Sequence, residues 1–214
     1  MAWYDNAVFY HIYPLGLCGC AHENDGQPTP GAFQKLNDWA AHAADIGCTA
    51  IYIGPLFESG SHGYDTIDYR RVDRRLGTNE MFAHICDELH KNGIRVILDG
   101  VFNHTGSNSR YFNAEGYYPS LGAAQSQSSP YYRWYSFHPW PSEYDAWWGV
   151  RTLPAVNEEQ PDYRDFIIRG QDSVVRHWLR AGASGWRLDV ADELPDDFIA
   201  EIRTAMEETA PDSF

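Results

Sequence analysis

Four short apolar runs alternate with four segments of helical period, and that alternation leaves this chain very few folds. The runs are VFYHIYP (8–14), CTAIYIGP (48–55), IRVILDGV (94–101) and SGWRLDV (184–190). Continuous apolar character over so short a length is the mark of strands buried on both faces, as parallel strands are. The helical segments are 31–47, 78–93, 162–182 and 194–209. In the first, Leu36, Trp39, Ala40 and Ala43 share a face, and Gly47 ends it. The second has Thr78 as N-cap, an apolar face of Phe82, Ile85, Cys86 and Leu89, and Gly93 as terminator. The third turns Tyr163, Phe166, Val174, Trp178 and Leu179 inward; the fourth opens on Pro195 and two aspartates. Strand–helix alternation of this kind predicts an α/β fold with parallel strands and right-handed crossovers.

One interruption follows the third strand. Residues 104–161 show neither period, and a structureless loop that long is foreign to a compact domain. It is read as a small inserted subdomain, which gives three spans: 1–103, the first part of a barrel; 104–161, the insertion; and 162–214, the remainder. Nine of the eighteen residues in 131–148 are Trp, Tyr or Phe. Half of them suffice for a small core, and the rest are expected to form a platform beside the strand ends, where flat aromatic faces suit sugar rings.

Charge narrows the partners. The chain has 214 residues, 30 acidic against 16 basic, for a net charge of −14. Such a molecule repels nucleic acid and anionic membranes, and no apolar run is long enough to span a bilayer. The four cysteines, Cys18, Cys20, Cys48 and Cys86, include no CxxC pair. They read as free thiols in a reducing compartment, with a cytoplasmic location expected.

Parallel barrels place their chemistry where strands end. The third strand ends in Asp99, Asn103 and His104, the fourth in Arg187 and Asp189. Arg187 and Asp189 are two apart and so share a side of the strand. An inward Arg–Asp pair is costly to bury without a purpose, and here Arg187 would pair with Asp189 and fix its orientation. The loop after the second strand adds His62, Tyr64 and Asp65 at the same mouth.

These residues resemble the signatures of the α-amylase superfamily, glycoside hydrolase family 13, and its neopullulanase and cyclomaltodextrinase-like members. The matching pieces are HGYD (62–65), DGVFNH (99–104), LPAVN (153–157) and GWRLDVADE (185–193), in the family's order. The resemblance implies a (β/α)8 barrel of which this chain holds the first four units plus the insertion. It also implies a retaining hydrolase of maltooligosaccharides, starch or cyclodextrins that works through a covalent glycosyl-enzyme on Asp189, with α-glucan as its partner. Arg187 would support the nucleophile, Asp99 and His104 would shape the subsite, Tyr64 would stack on the reacting sugar, and Asp65 would help form the pocket. Glu193 would line a binding subsite. No cofactor is required; calcium is left open at Asn103, and Asn157 would belong to the same joint.

The family's general acid/base is a Glu at the end of the fifth strand, and PDSF (211–214) reads as the lead-in to that strand. The expectation is a fragment, inactive alone, whose open strand edges favour self-association. The alternative is a catalytically silent relative that binds saccharide or associates with itself.

Overall fold

The structure, a computed structural model, describes residues 2–214. Strand β1 (Phe9–Ile12) leads into a short helix α1 (Pro14–Cys18), which Pro14 opens at its first turn, and then helix α2 (Ala32–Asp45). Strand β2 (Ala50–Ile53) is followed by β3 (Phe57–Ser59) and β4 (Thr66–Val72), then helix α3 (Asn79–Lys91) and strand β5 (Arg95–Gly100). After the long irregular stretch come α4 (Pro161–Arg164), α5 (Val174–Arg180), β6 (Gly185–Leu188) and α6 (Asp196–Thr209). The main sheet runs in the order β1-β2-β5-β6, every neighbouring pair parallel. Its strands are the four apolar runs, each a few residues shorter than its run.

The periodicity of α3 predicts its packing: Phe82, Ile85, Cys86 and Leu89 are buried, and the Thr78 side chain accepts a hydrogen bond from the Met81 N–H. In α2, Leu36, Ala40 and Ala43 are buried, whereas Trp39 lies at the edge of the face, 36% exposed, and stacks near Tyr10. Trp178 of α5 is fully buried, with Phe57 and Phe82 on its ring and its indole N–H donating to the Tyr69 carbonyl at 2.8 Å. Burying a ring of that size stabilises the fold by about 3 kcal/mol. All four cysteines are free. Among the described residues no helix is long and apolar enough to cross a membrane.

Two segments differ from the expected pattern. The stretch after β2 is not merely a loop: β3 and β4 pair antiparallel, with irregular register. Their buried positions include Glu58, Ser59, Thr66 and Asp68, so no apolar alternation announces them. The segment 162–182 is not one helix. A π-helical turn (Asp165–Arg169) follows α4, Gly170 closes it by donating to the Asp165 carbonyl, and Ser173 caps α5 by accepting from the Arg176 N–H. The break brings Ile167 and Ile168 into the core, while Phe166 is only half-buried.

Residues 104–161 are held by isolated antiparallel bridges, His104 with Ala155, Phe137 with Tyr144, and Ala146 with Pro154. Phe112 packs against Tyr135, Phe137 and Tyr144, and Trp134 packs against Tyr111, Tyr163 and Phe166. Trp134 therefore ties the insertion to α4 and the π turn.

Candidate active site

The ends of four adjacent strands contribute one polar row. His11 on β1 lies beside Tyr52 on β2, and Asp99 on β5 lies beside Arg187 on β6. Tyr52 is in register with Ile97, so Asp99 stands one pleat further along the same face. The His11 and Tyr52 rings stack at 4.3 Å. The Tyr52 hydroxyl donates to Asp99 Oδ2. Arg187 Nη1 donates to Asp99 Oδ1 at 2.9 Å and to Asp189 Oδ1 at 2.6 Å. One guanidinium thus joins the two carboxylates, and Asp189 is held at the end of β6 with its N–H on the Gly100 carbonyl.

The electrostatics follow from burial. Asp99 is 1% exposed, and desolvation raises its pKa against the opposing hydrogen bonds of Tyr52 and Arg187. Burial opposes the charge on Arg187, but the hydrogen bond and charge of Asp99, and then the hydrogen bond of Asp189, outweigh it and raise its pKa. His11 is pushed down by burial and then by the Arg187 charge. Val190, next to Asp189, has φ 50. A β-branched residue in the left-handed region costs about 1–3 kcal/mol, and such strain collects at functional sites.

His104 is buried beside this row. Its Nε2 donates to the Tyr64 carbonyl at 3.1 Å, and burial lowers its pKa. Tyr64 is half-buried; burial, and then the charges of Asp99 and Asp189, raise the pKa of its hydroxyl. Asp65 plays a different part from its neighbour. Its carboxylate accepts from the Ser61 hydroxyl at 2.8 Å and the Gly63 N–H at 3.2 Å, so it braces the turn that presents Tyr64. His62 Nδ1 lies 3.8 Å from Asp65 and accepts from the Tyr64 N–H.

Glu193 stands four residues beyond Asp189 and does not cap α6, whose N-cap is Pro195. Its Oε1 accepts from the indole N–H of Trp148 at 2.8 Å. Three residues of this neighbourhood escape sequence reasoning: Tyr52, Trp148 and Glu158. Tyr52 carries one usable signal, a hydroxyl inside an otherwise aliphatic strand.

Asn103 does not match the calcium expectation. Calcium takes six to eight oxygens. The Asn103 amide nitrogen instead donates to Glu158 Oε1 at 3.3 Å, and its oxygen lies 3.3 Å from His104 Nδ1. Among the described residues no group of three or more His, Cys, Asp and Glu side chains could hold a metal ion. This donor set does not fit the ion. Asn157 donates its N–H to the Trp134 carbonyl and takes the Glu159 N–H on its side chain, which makes it a joint residue of the insertion.

Glu158 itself is pushed up to about 7, chiefly by burial. A carboxyl with a folded-state pKa above its unfolded value of 4.5 favours folding below that value. The contribution is lost as pH rises towards 7. Glu158→Gln is therefore expected to flatten the fall in stability between pH 5 and pH 8 by of order 2 kcal/mol, read from urea midpoints at the two pH values.

Known proteins are similar to this chain in sequence and in fold. Residues 22–213 match the family model described as alpha amylase, catalytic domain. An amylopullulanase of Thermoanaerobacterium saccharolyticum is 37% identical over 202 residues, covering 86% of this chain and 16% of that protein. A cyclomaltodextrinase of a Bacillus species is 31% identical over 237 residues, covering 100% of this chain and 40% of that protein. The solved structure of cyclic α-maltosyl-(1→6)-maltose hydrolase from Arthrobacter globiformis, in complex with that sugar, has a TM-score of 0.80 at 30% identity, over 99% of this chain and 50% of that one. The chain thus spans half or less of the length of these relatives. The matched residues include Asp99 and Asp189, and the chain belongs to the α-amylase catalytic-domain family.

Proposed function

We propose that this chain carries the nucleophile side of a retaining α-glucan hydrolase. The observation that supports it most is the single guanidinium shared by Asp99 and Asp189. Arg187 occupies Asp189 Oδ1, and the other oxygen is left to attack an anomeric carbon. Tyr64 and His104 flank the sugar, and Asp99 stays buried as the anchor of Arg187. The C–O bond to the leaving sugar breaks as the bond to Asp189 forms, and the leaving oxygen needs a proton. Asp99 is committed to Tyr52 and Arg187, and Glu193 to Trp148. Neither offers that proton, so the 214-residue chain alone is expected to turn over maltooligosaccharides some 10²–10⁴-fold more slowly than an enzyme with a general acid. The spans 1–103 and 162–214 are proposed as the first four units of the barrel, with 104–161 as its inserted subdomain.

Fluoride leaves without help from an acid, which isolates the nucleophile for testing. With α-maltosyl fluoride, Asp189 is expected to become glycosylated, and the adduct to accumulate because no base activates water. Peptide mass spectrometry reads the site; Asp189→Asn should give no adduct. If the wild-type chain binds maltooligosaccharide yet never labels, the nucleophile assignment fails and a silent saccharide-binding scaffold takes its place.

A further inference from the structure

We infer that Trp148 is a saccharide-stacking platform at the rim of the site, taking an α-glucan residue beyond the one that reacts. The inference rests on the α-glucan function proposed above, but on different residues. Three rings form a ladder from the floor outward: His104 and Trp147 lie 5.5 Å apart, Trp147 and Trp148 5.3 Å apart and nearly parallel at 19°. His104 is buried and Trp147 half-buried, whereas Trp148 is 80% exposed. It is the most exposed large apolar side chain of the described residues, where a Trp is ordinarily well buried.

The position of this ring is built. Trp148 sits at φ 49 in a tight turn closed by hydrogen bonds from Trp147 N–H to the Leu153 carbonyl and from Val150 N–H to the Trp147 carbonyl. The base of that turn is the bridge between Ala146 and Pro154, next to the bridge between His104 and Ala155. The same backbone that places His104 therefore presents Trp148. Its indole N–H holds Glu193, which makes this one side-chain hydrogen bond among the described residues and lies four residues after Asp189. An open indole face beside a carboxylate has the chemistry of a pyranose site. The ring takes the sugar's C–H face, and the carboxylate accepts from its hydroxyls.

Oxidation of indoles by N-bromosuccinimide, followed by peptide mapping, tests this directly. In the free chain Trp148 should oxidise first, and saturating maltotetraose should protect it. Trp148→Ala is expected to weaken maltotetraose binding about tenfold, and Trp148→Phe, which keeps a ring, to stay within about threefold of wild type. A Trp148 that reacts equally with and without the saccharide, or an alanine variant with unchanged affinity, overturns the platform. Labelling of Asp189 by α-maltosyl fluoride reports separately on the nucleophile. A chain that labels but leaves Trp148 unprotected loses the platform alone; a chain that neither labels nor binds maltotetraose loses both.

Discussion

Replacing Arg187 by methionine is expected to slow the labelling of Asp189 by α-maltosyl fluoride about 10³-fold, with little change in stability at low pH. The size follows from what one group does: Arg187 Nη1 donates to both carboxylates. Removing a preorganised donor at a reacting centre costs about 10²–10³ in rate, and here the nucleophile also loses its alignment. The stability effect is smaller because the Arg187 side chain is 42% exposed, so the pair is partly screened by solvent. Asp99 then decides the pH dependence. Burial raises its pKa above the ordinary 3.8 even with Arg187 in place, and the variant loses one of the two donors that oppose the rise. A raised folded-state pKa means stability that is present below the unfolded value and lost as pH rises. The variant should therefore unfold in progressively less urea, relative to wild type, as pH is raised from 4 upward. Labelling within tenfold of wild type would show that Arg187 does not position the nucleophile.

The sequence reveals the parts of this molecule that obey one rule at a time. The four strands are legible because β2 and β5 are continuous apolar runs, and α3 because cap, stripe and terminator agree. The pairing of Arg187 with Asp189 is legible because residues two apart on a strand share a side. The β3–β4 hairpin is hidden because its inner positions are charged: Glu58 accepts from Arg74 and Asp68 from Arg110, so burial is achieved by pairing and not by apolar side chains. The break before α5 has its signals, Gly170 and Ser173, but apolar spacing on both sides overrides them when the segment is read as one helix. Trp148 is invisible for another reason. Nothing in a run of nine aromatics tells which ring the fold leaves outside. Asp65 comes to the expected loop, and its carboxylate holds the turn that presents Tyr64.

Arg75→Met should produce the largest loss of stability, about 3–5 kcal/mol, read as a drop in the urea midpoint. Arg75 and Asp73 are 1% and 0% exposed, and their ion pair closes at 2.7 Å. Asp73 also takes the Ser59 hydroxyl at 2.9 Å and the Ser59 N–H at 3.1 Å, while Arg75 reaches the Ala21 and His22 carbonyls at 2.8 and 3.1 Å. The pair therefore clamps the segment after α1 to the hairpin. Removing the cation strands a fully buried carboxylate, which costs far more than removing both charges. Asp73→Leu combined with Arg75→Met should accordingly recover most of the loss, and Arg75→Met alone within about 1 kcal/mol of wild type would show that the clamp carries no weight. The effect should also reach the site. Ser59 ends β3, the turn it enters presents Tyr64, and the Tyr64 carbonyl holds His104 Nε2. Loosening the clamp lets that turn drift from the polar row, so the single variant should also slow labelling of Asp189 under conditions where it is still folded, and the double variant should restore it in step with stability.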